Sequence, residues 1–417
     1  MKNNSRIICS LLVVLCWLLL PALSLSAMDW GLQLDQTLGF EGITDGDNSF
    51  SYSGTIIPWL STPLGQAGNV NLYLSAGATL EYADKTAFFI PELLRTELAW
   101  RMEGGKELKF GRIPYTDPLG LIASGLFDGA RFSLNTGSGA FGAGVWYTGL
   151  LYKRSADITI TDDDDTLYKT DLDYANFADT YFAPRRLLFA LDWANPYLTD
   201  WLRLKAAVIG QLDLRGDDPR YHSQYLALKA SVPAGNFIFD LGGAFELAEV
   251  SNDVFGETSY ETKIALAGEI GIAWMLPTQI KDQLKFTGRF TNGTVADSSF
   301  AAFVPVTTIP QGDILQEKLS GLSMLRLDYT AQLNETFSFN AASSYFIASD
   351  LGTYKGFPSG RDGHFLGNEF SGRMIWSPFS DLQLRLGGGV FLPSMGNSGS
   401  SNGALWRVEL NALLAIF

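Results

Sequence analysis

Basic side chains recur at alternate positions along many short segments of this sequence. Arg203 and Lys205, for example, alternate with Leu202 and Leu204. Guanidinium and ammonium groups bind carboxylates and phosphates, so a row of them that faces one enclosed space would attract anions. The chemistry to expect from this pattern is electrostatic recognition of an anion.

Extending the alternation along the chain assigns a set of charged residues to one common inner face. The residues that we predict to line this face are Arg95, Arg101, Lys109, Arg131, Arg186, Arg203, Lys205, Arg289, Arg326, Asp328, Glu369, Arg373, Arg385, Arg407 and Glu409. The same register adds Lys229, Lys263, Lys285, Asp35, Glu97, Asp192, Asp213, Glu261 and Glu269. Cations outnumber carboxylates on this face, although the whole chain has a net charge of −14. The alternative interpretation is a lattice of Arg–Glu and Arg–Asp pairs that selects nothing.

Extended strands are the elements that place alternate residues on one face, because their successive side chains point to opposite sides. After Met28 the sequence repeats such a segment about 18 times, with about 16 as the alternative. Compact turns alternate with longer loops, the longest near 152–183, 292–319 and 349–365. This pattern is typical of an all-β, transmembrane, antiparallel up-and-down β-barrel.

In such a barrel one face of each strand meets lipid and the other meets the lumen. A lysine or arginine on the lipid face costs roughly 2–4 kcal/mol at the midplane, so the charged face must be the lumen. A water-soluble β-sandwich also alternates, but it would not repeat strands of this length so many times. We therefore favour the barrel.

Residues 1–27 have the composition of a signal peptide. Lys2 and Arg6 precede an apolar stretch over 7–20, and small residues follow it up to Ala27. Cys16 could suggest a lipoprotein, but the apolar stretch continues after it, which argues against lipidation. We predict that residues 28–417 form a single transmembrane β-barrel domain, and the acidic net charge argues against nucleic-acid binding.

The alternation of short turns and long loops also predicts an orientation. In outer-membrane barrels the turns are periplasmic and the loops are external, so we expect the outer membrane of a diderm bacterium, with both termini periplasmic. The expected partners are outer-membrane lipid, lipopolysaccharide-type glycolipid, the barrel-assembly machinery and a hydrophilic solute, and the oligomeric state stays open. Tryptophans near strand ends would lie in the head-group layers: Trp30, Trp59, Trp100, Trp193, Trp201, Trp274, Trp376 and Trp406.

The segment 157–179 is strongly acidic and includes four consecutive aspartates, Asp162–Asp165. Adjacent carboxylates repel one another unless they are solvated or bound to cations, so capture of a divalent ion is conceivable. The regular acidic spacing of a calcium loop with its central glycine is absent. We therefore expect a mobile, solvated external loop without a metal site.

Histidine is too sparse for a typical hydrolytic site. After the leader the chain has only His222 and His364, and no Gly-x-Ser-x-Gly element, cysteine nucleophile or histidine-rich metal spacing accompanies them. We predict that the protein is not an enzyme and needs no cofactor, with both histidines as polar loop residues.

Two stretches carry a resemblance to known proteins. They comprise Phe110–Arg112 with Asp117, Pro118 and Leu126–Arg131, and Gly367–Ser371 with Gly387–Gly389 and Phe391–Pro393. Both resemble the alginate-export family of eighteen-stranded outer-membrane barrels and the porins near it. The resemblance implies an eighteen-stranded barrel with an arginine-rich conduit. Phe370 and Ser371 stand where the family has Leu-Asp, so the resemblance does not identify the solute.

These observations together predict a porin-like or export-type channel for hydrophilic solutes, with anions or polysaccharide as candidates. The alternative is a surface-exposed structural or adhesive barrel with a closed lumen. Uptake of hydrophobic solutes is less favoured, because the first strand begins near Trp30 and leaves no room for an N-terminal plug.

Overall fold

The computed structural model describes residues 28–44, 46–65, 68–83, 85–216, 219–254, 257–296, 298–350, 363–396 and 403–417. The predicted leader and most of the predicted loop 349–365 lie outside the described residues. The strands are β1 (Asp29–Ile43), β2 (Asn48–Leu64), β3 (Val70–Ala83), β4 (Thr86–Met102), β5 (Lys106–Thr116), β6 (Ser124–Thr136), β7 (Gly139–Tyr147), β8 (Arg186–Thr199), β9 (Leu202–Asp213), β10 (Arg220–Ala234), β11 (Phe237–Val254), β12 (Glu257–Met275), β13 (Gln283–Thr291), β14 (Leu322–Gln332), β15 (Phe337–Ala348), β16 (Phe365–Phe379), β17 (Leu382–Leu392) and β18 (Leu405–Ile416).

The strands form a closed antiparallel barrel. Each strand pairs with the next along the chain, and β1 pairs with β18 to complete an 18-stranded sheet. Closure satisfies the hydrogen bonds of every strand edge, which a membrane-spanning sheet requires because hydrocarbon offers no partners. The predicted strand number and fold class are confirmed.

The two faces of the wall differ as the alternation predicts. On β14, Leu325 and Leu327 lie on the outer face and are 47% and 46% exposed. Arg326 and Asp328, between and beside them, lie on the inner face and pair with each other at 2.9 Å. The exposed apolar residues form the outer belt, and lipid would cover this belt.

The two ends of the barrel are also unlike. Short turns such as 103–105 and 235–236 connect the strands at one end of the barrel, and the long connections lie at the other end. The start of β1 and the end of β18 both lie at the short-turn end, because Leu32 pairs with Ile416 and Asp29 pairs with Ser61.

The connection between β7 and β8, residues 148–185, is folded. It contains the helices α1 (Lys153–Ala156), α2 (Asp162–Lys169) and α3 (Phe177–Tyr181) and a short 3-10 turn. Thr161 and Asp164 form a capping box at the start of α2, where carboxylates also interact well with the helix dipole. Asp164 is only 1% exposed. The expectation of a mobile, solvated acidic loop was therefore wrong. No helix in the described part of the chain is long and apolar enough to cross a membrane.

Three segments enter the barrel and fill part of its lumen: the β5–β6 connection 117–123, loop 148–185 and loop 292–321. The backbone N–H groups of Val306 and Thr307 donate to the Ile122 carbonyl, and Thr308 N–H donates to the Asp157 carbonyl at 2.7 Å. Apolar side chains of all three segments pack against inner-face residues such as Tyr225 in one buried cluster. The main core of the protein thus lies inside the barrel.

One tryptophan assignment was wrong. Trp59 pairs with Gly31 in the register of β1 and β2, on the same face as the lumen residue Asp35. Its ring stacks on Tyr73 at 6.1 Å and meets the ring of Phe417 edge-on at 6.0 Å. Trp59 therefore faces the lumen, because the register of β2 places it on the inner face.

Candidate functional site

The part of the lumen that the three segments leave open contains a cavity of about 430 Å³, which we call the arginine cavity. One side of it is the inner face of β16, β17 and β18, with Arg373, Arg385 and Arg407. The opposite side is the segment 310–316 of loop 292–321. Three arginines from adjacent strands thus line one half-open cavity.

Glycines on the same face give the cavity its volume. Arg373 lies opposite Gly387, and Arg407 lies opposite Gly389. A Cβ added at Gly387 would meet only Gly372 O at 3.8 Å and Arg373 Nε at 3.9 Å, so the space beside Arg373 is open. A side chain at Gly387 would occupy the cavity, and its absence leaves the guanidinium of Arg373 accessible.

The three guanidinium groups are not neutralised equally. Arg373 Nη2 is 3.8 Å from Asp313 Oδ1, and Arg407 Nε is 3.3 Å from Glu41 Oε2. Arg385 donates from Nε to Gln383 Oε1 at 2.6 Å, and no described carboxylate lies within 4.0 Å of its guanidinium. An unneutralised cation that lines a cavity lowers the energy of an anion there and raises that of a cation.

A second cavity of about 370 Å³ lies at the long-loop end, between β18, β1 and β2. It is lined by Glu41, Asn48 and Ser49, and it shares Ile314 and Arg407 with the arginine cavity. The two cavities therefore adjoin at the Ile314 side chain. We refer to these two neighbouring cavities together as the route.

Asp313 holds the loop side of the cavity in place. Ser371 donates from Oγ to Asp313 Oδ2 at 2.6 Å, and Arg326 Nη2 lies 3.0 Å from the same oxygen. Burial alone would raise the pKa of Asp313, but the hydrogen bond from Ser371 and the charge of Arg326 outweigh it and lower that pKa. The carboxylate is therefore ionised at neutral pH and neutralises part of the positive charge on this side.

Many of the other predicted inner-face cations belong to ion pairs along the wall. Glu97 binds Arg95 at 2.5 Å and Lys109 at 3.1 Å, and Arg131 binds Asp192 at 2.7 Å. The remaining pairs are Arg101–Glu107, Arg289–Glu269, Lys229–Glu269 and Arg326–Asp328. In these regions the lattice interpretation describes the wall better than an anion-selective one.

Arg203 and Lys205 form a separate exposed group on β9, at the short-turn end of the barrel. Both are exposed, and among the described residues neither has a carboxylate within 4.0 Å. Glu409 lines the arginine cavity opposite Gly387. Thus Arg373, Arg385, Arg407 and Glu409 are brought together, whereas Arg203 and Lys205 are not part of the cavity.

Two predicted pore-lining residues do not line the open space. Arg186 and Glu369 are both 0% exposed. Arg186 is covered by α2, where Asp164 Oδ2 lies 2.5 Å from its Nη2, and Glu369 is covered by the backbone of segment 310–316. Their inner-face assignment follows from strand parity, but the inward-folded loops remove them from solvent.

The sequence-based reading missed the loop side of the cavity. Gly312, Asp313 and Ile314 belong to a predicted external loop, and local pattern does not indicate which loops fold inward. The glycine run Gly387–Gly389 belongs to the resemblance, but its effect on cavity volume depends on which strands lie beside it. Asn411, which also lines the cavity, carries no charge that could have marked it.

The fold is similar to that of several solved structures from Pseudomonas aeruginosa. OccK5 (OpdH) matches with a TM-score of 0.59 and 14% identity, covering 94% of this chain and 99% of that one. OccK2 (OpdF) in complex with glucuronate matches with a TM-score of 0.59 and 12% identity, covering 93% and 96%. OpdK with vanillate matches with a TM-score of 0.58 and 11% identity, covering 93% and 98%.

Identities of this size establish a shared fold over nearly the whole of both chains. OpdK is described as an outer membrane protein. No protein-family model matches the sequence, and no curated protein matches it significantly.

Proposed function

We propose that the protein is an outer-membrane channel through which small hydrophilic anions pass passively by way of the arginine cavity. The observation that carries the proposal is Arg385, whose guanidinium has no carboxylate partner among the described residues and lies between Arg373 and Arg407. The adjoining cavity at the long-loop end supplies an entry. The predicted inner-face residues outside the cavity line the remainder of the wall in this proposal.

The similar structures support a carboxylate as the solute. Glucuronate and vanillate, which are bound in two of them, each carry a carboxylate. Guanidinium groups suit such ligands because they can donate two parallel hydrogen bonds to one carboxylate. We infer that the solute presents a carboxylate, or a group of similar charge, to the three arginines.

The proposed setting follows from the outer belt of apolar residues and the two unlike ends. In this proposal the belt faces outer-membrane lipid. The long-loop end faces the outer surface of the membrane and its lipopolysaccharide-type glycolipid, and both termini face the periplasm. Insertion by the barrel-assembly machinery belongs to the same proposal. No catalytic step and no cofactor are part of it.

Two alternatives are less favoured. An export-type channel for a polysaccharide such as alginate would need a wide bore, and three inward-folded segments narrow this one. A structural or adhesive barrel with a closed lumen would not require two adjoining cavities lined by charged residues. Both alternatives predict electrical behaviour that differs from that of a narrow, anion-selective channel.

Planar-bilayer recording on the purified protein tests the proposal. We expect discrete conductance steps and, in a salt gradient, a reversal potential that indicates preference for anions. An adhesive barrel would give no steps. Steps with cation preference would contradict the arginine cavity as the selective element.

A further inference from the structure

Glu369 is a carboxylate on β16 that is fully enclosed by protein. It is 0% exposed, and no cation lies within ion-pair distance of it among the described residues. Instead it accepts hydrogen bonds from three consecutive backbone N–H groups, those of Asp313 at 2.8 Å, Ile314 at 3.0 Å and Leu315 at 2.7 Å. A buried carboxylate is costly unless its oxygens are well hydrogen-bonded, and here the loop backbone provides those bonds.

Gly312 makes this close approach possible. A Cβ built on Gly312 would lie 2.5 Å from Glu369 Oε2 and 2.6 Å from Leu315 O. Such distances are too short for any side chain, so residue 312 must be glycine while the carboxylate is in place. The contact between loop and strand therefore depends on both Gly312 and Glu369.

The same contact determines where the loop side of the arginine cavity lies. Asp313, one of the three donors, pairs with Arg326 and is 3.8 Å from Arg373. Ile314, the second donor, lines both the arginine cavity and the cavity at the long-loop end. A displacement of this backbone would move both side chains away from the route.

From this geometry we infer that Glu369 is a positioning residue that sets the width of the route by holding segment 310–316 against the arginine wall. The inference rests on the proposed function, because the segment forms one side of the proposed passage. Glu369 does not contact the solute. It acts through the loop backbone that it binds.

The test is single-channel recording of Glu369→Gln and Gly312→Ala. Glutamine has one acceptor oxygen, and its amide NH2 faces the loop N–H groups, so it cannot replace the carboxylate. Alanine at 312 keeps every charge but forces the backbone off the carboxylate. We expect conductance to rise roughly twofold or more in both variants, because conductance through a narrow passage increases with its cross-section.

Matched controls are Glu103→Gln, in an exposed turn at the opposite end, and Gly243→Ala, where an added Cβ would meet only Ala267 O at 3.6 Å. Both should conduct as the wild type does. Glu369→Asp, which keeps the carboxylate on a shorter side chain, should give an intermediate conductance. Heat-modifiable electrophoretic mobility reports whether each barrel is folded.

A thiol probe separates repositioning of the loop from a general loss of stability. The chain has no cysteine after Cys16, so Ile314→Cys introduces a unique thiol in the mature channel. An anionic methanethiosulfonate should reduce the conductance of Ile314→Cys alone. It should have little effect when Glu369→Gln is also present, because the segment no longer borders the route.

The outcomes distinguish this inference from the proposed function. If the wild type shows no conductance steps, the proposed function fails. If the wild type conducts and both Glu369→Gln and Gly312→Ala conduct identically to it, with unchanged block at position 314, the positioning role is refuted while the channel stands.

Discussion

Two of the three segments that enter this barrel, loops 148–185 and 292–321, are held there by different chemistry. Loop 148–185 is held by ion pairs. Arg186 on β8 binds Asp164 of α2 at 2.5 Å and Asp213 at 3.3 Å, and Arg215 binds the same two carboxylates at 3.3 Å and 2.6 Å. Arg186, Asp164 and Asp213 are all nearly or fully buried.

Loop 292–321 is held by carboxylates that bind its backbone. Glu369 binds the N–H groups of residues 313–315. Glu246 on β11, 1% exposed, accepts from Val304 N–H at 2.8 Å and from the hydroxyl of Tyr221 at 2.8 Å, and Tyr225 donates to the Val304 carbonyl at 2.6 Å. No charged side chain of the loop takes part in these bonds, although Asp313 of the same loop also pairs with Arg326 at 3.0 Å.

The difference shows what each kind of anchor requires of the sequence. An ion-pair anchor needs a charged residue in the loop. The anchor is therefore visible in the composition of the loop, here in the aspartates at 162–165. A backbone anchor needs only a carboxylate on the strand and, at one position, a glycine. Loop 292–321 forms one side of the arginine cavity. Its own side chains therefore give less indication than those of loop 148–185 that the loop folds inward.

The largest effect should come from removing the ion-pair anchor. Arg186→Ala removes one of the two shared partners of the buried Asp164 and Asp213, and the remaining partner, Arg215, can compensate only in part. Breaking a buried pair on one side typically costs about 3–5 kcal/mol, so the free energy of unfolding should fall by about that amount. Urea unfolding followed by tryptophan fluorescence measures it.

Arg203→Ala, at an exposed site on β9, is the control for that measurement and should change the unfolding free energy little. If Arg186→Ala is as stable as Arg203→Ala, the ion pairs do not hold loop 148–185.

A smaller effect is expected from the backbone anchor at Glu246. Glu246→Gln keeps one acceptor oxygen but turns an NH2 group toward donors that need an acceptor. Leaving a buried hydrogen-bonding group unsatisfied costs about 1–3 kcal/mol, so the loss should be smaller than for Arg186→Ala under the same urea titration. A larger loss than that of Arg186→Ala would reverse the ranking of the two anchors.

The smallest effect concerns the junction between the two loops, at Asp157. Its carbonyl accepts from Thr308, and burial raises the pKa of its side chain to about 6. An exposed aspartate has a pKa of about 4, so the folded state holds an extra proton between about pH 4 and about pH 6. This contribution to stability is present at low pH and is lost as the pH rises through that range.

Asp157→Asn should therefore stabilise the protein slightly at pH 7 and reduce the difference in stability between pH 5 and pH 7. Asparagine also tolerates the positive φ of 50° at this position. Unfolding midpoints of wild type and variant at the two pH values provide the measurement. An unchanged pH difference in the variant would show that another group titrates.

The sequence predicted the barrel because its constraint is local and repeated. Lipid on one side and water on the other force a period of two, and this period places Arg326 between Leu325 and Leu327 and Arg385 on the inner face. The same rule assigns Arg186 and Glu369 to the inner face. Strand parity, however, does not determine whether an inner-face residue stays open to water.

The interior of the barrel could not be predicted in the same way. Which loops enter the lumen depends on contacts between residues far apart in the chain, such as Glu246 with Val304 and Asp157 with Thr308. These contacts leave no periodic signal. For this reason the sequence alone predicts a solvated loop at the acidic segment and does not indicate the loop side of the arginine cavity.

The most direct test of the central claim is the reversal potential of Arg385→Gln compared with that of the wild type in the same salt gradient. The substitution removes the guanidinium that lacks a carboxylate partner among the described residues and leaves both loop anchors intact. We expect anion preference to fall markedly while the channel stays folded and conducting. An unchanged reversal potential would contradict the claim that the arginine cavity selects the solute.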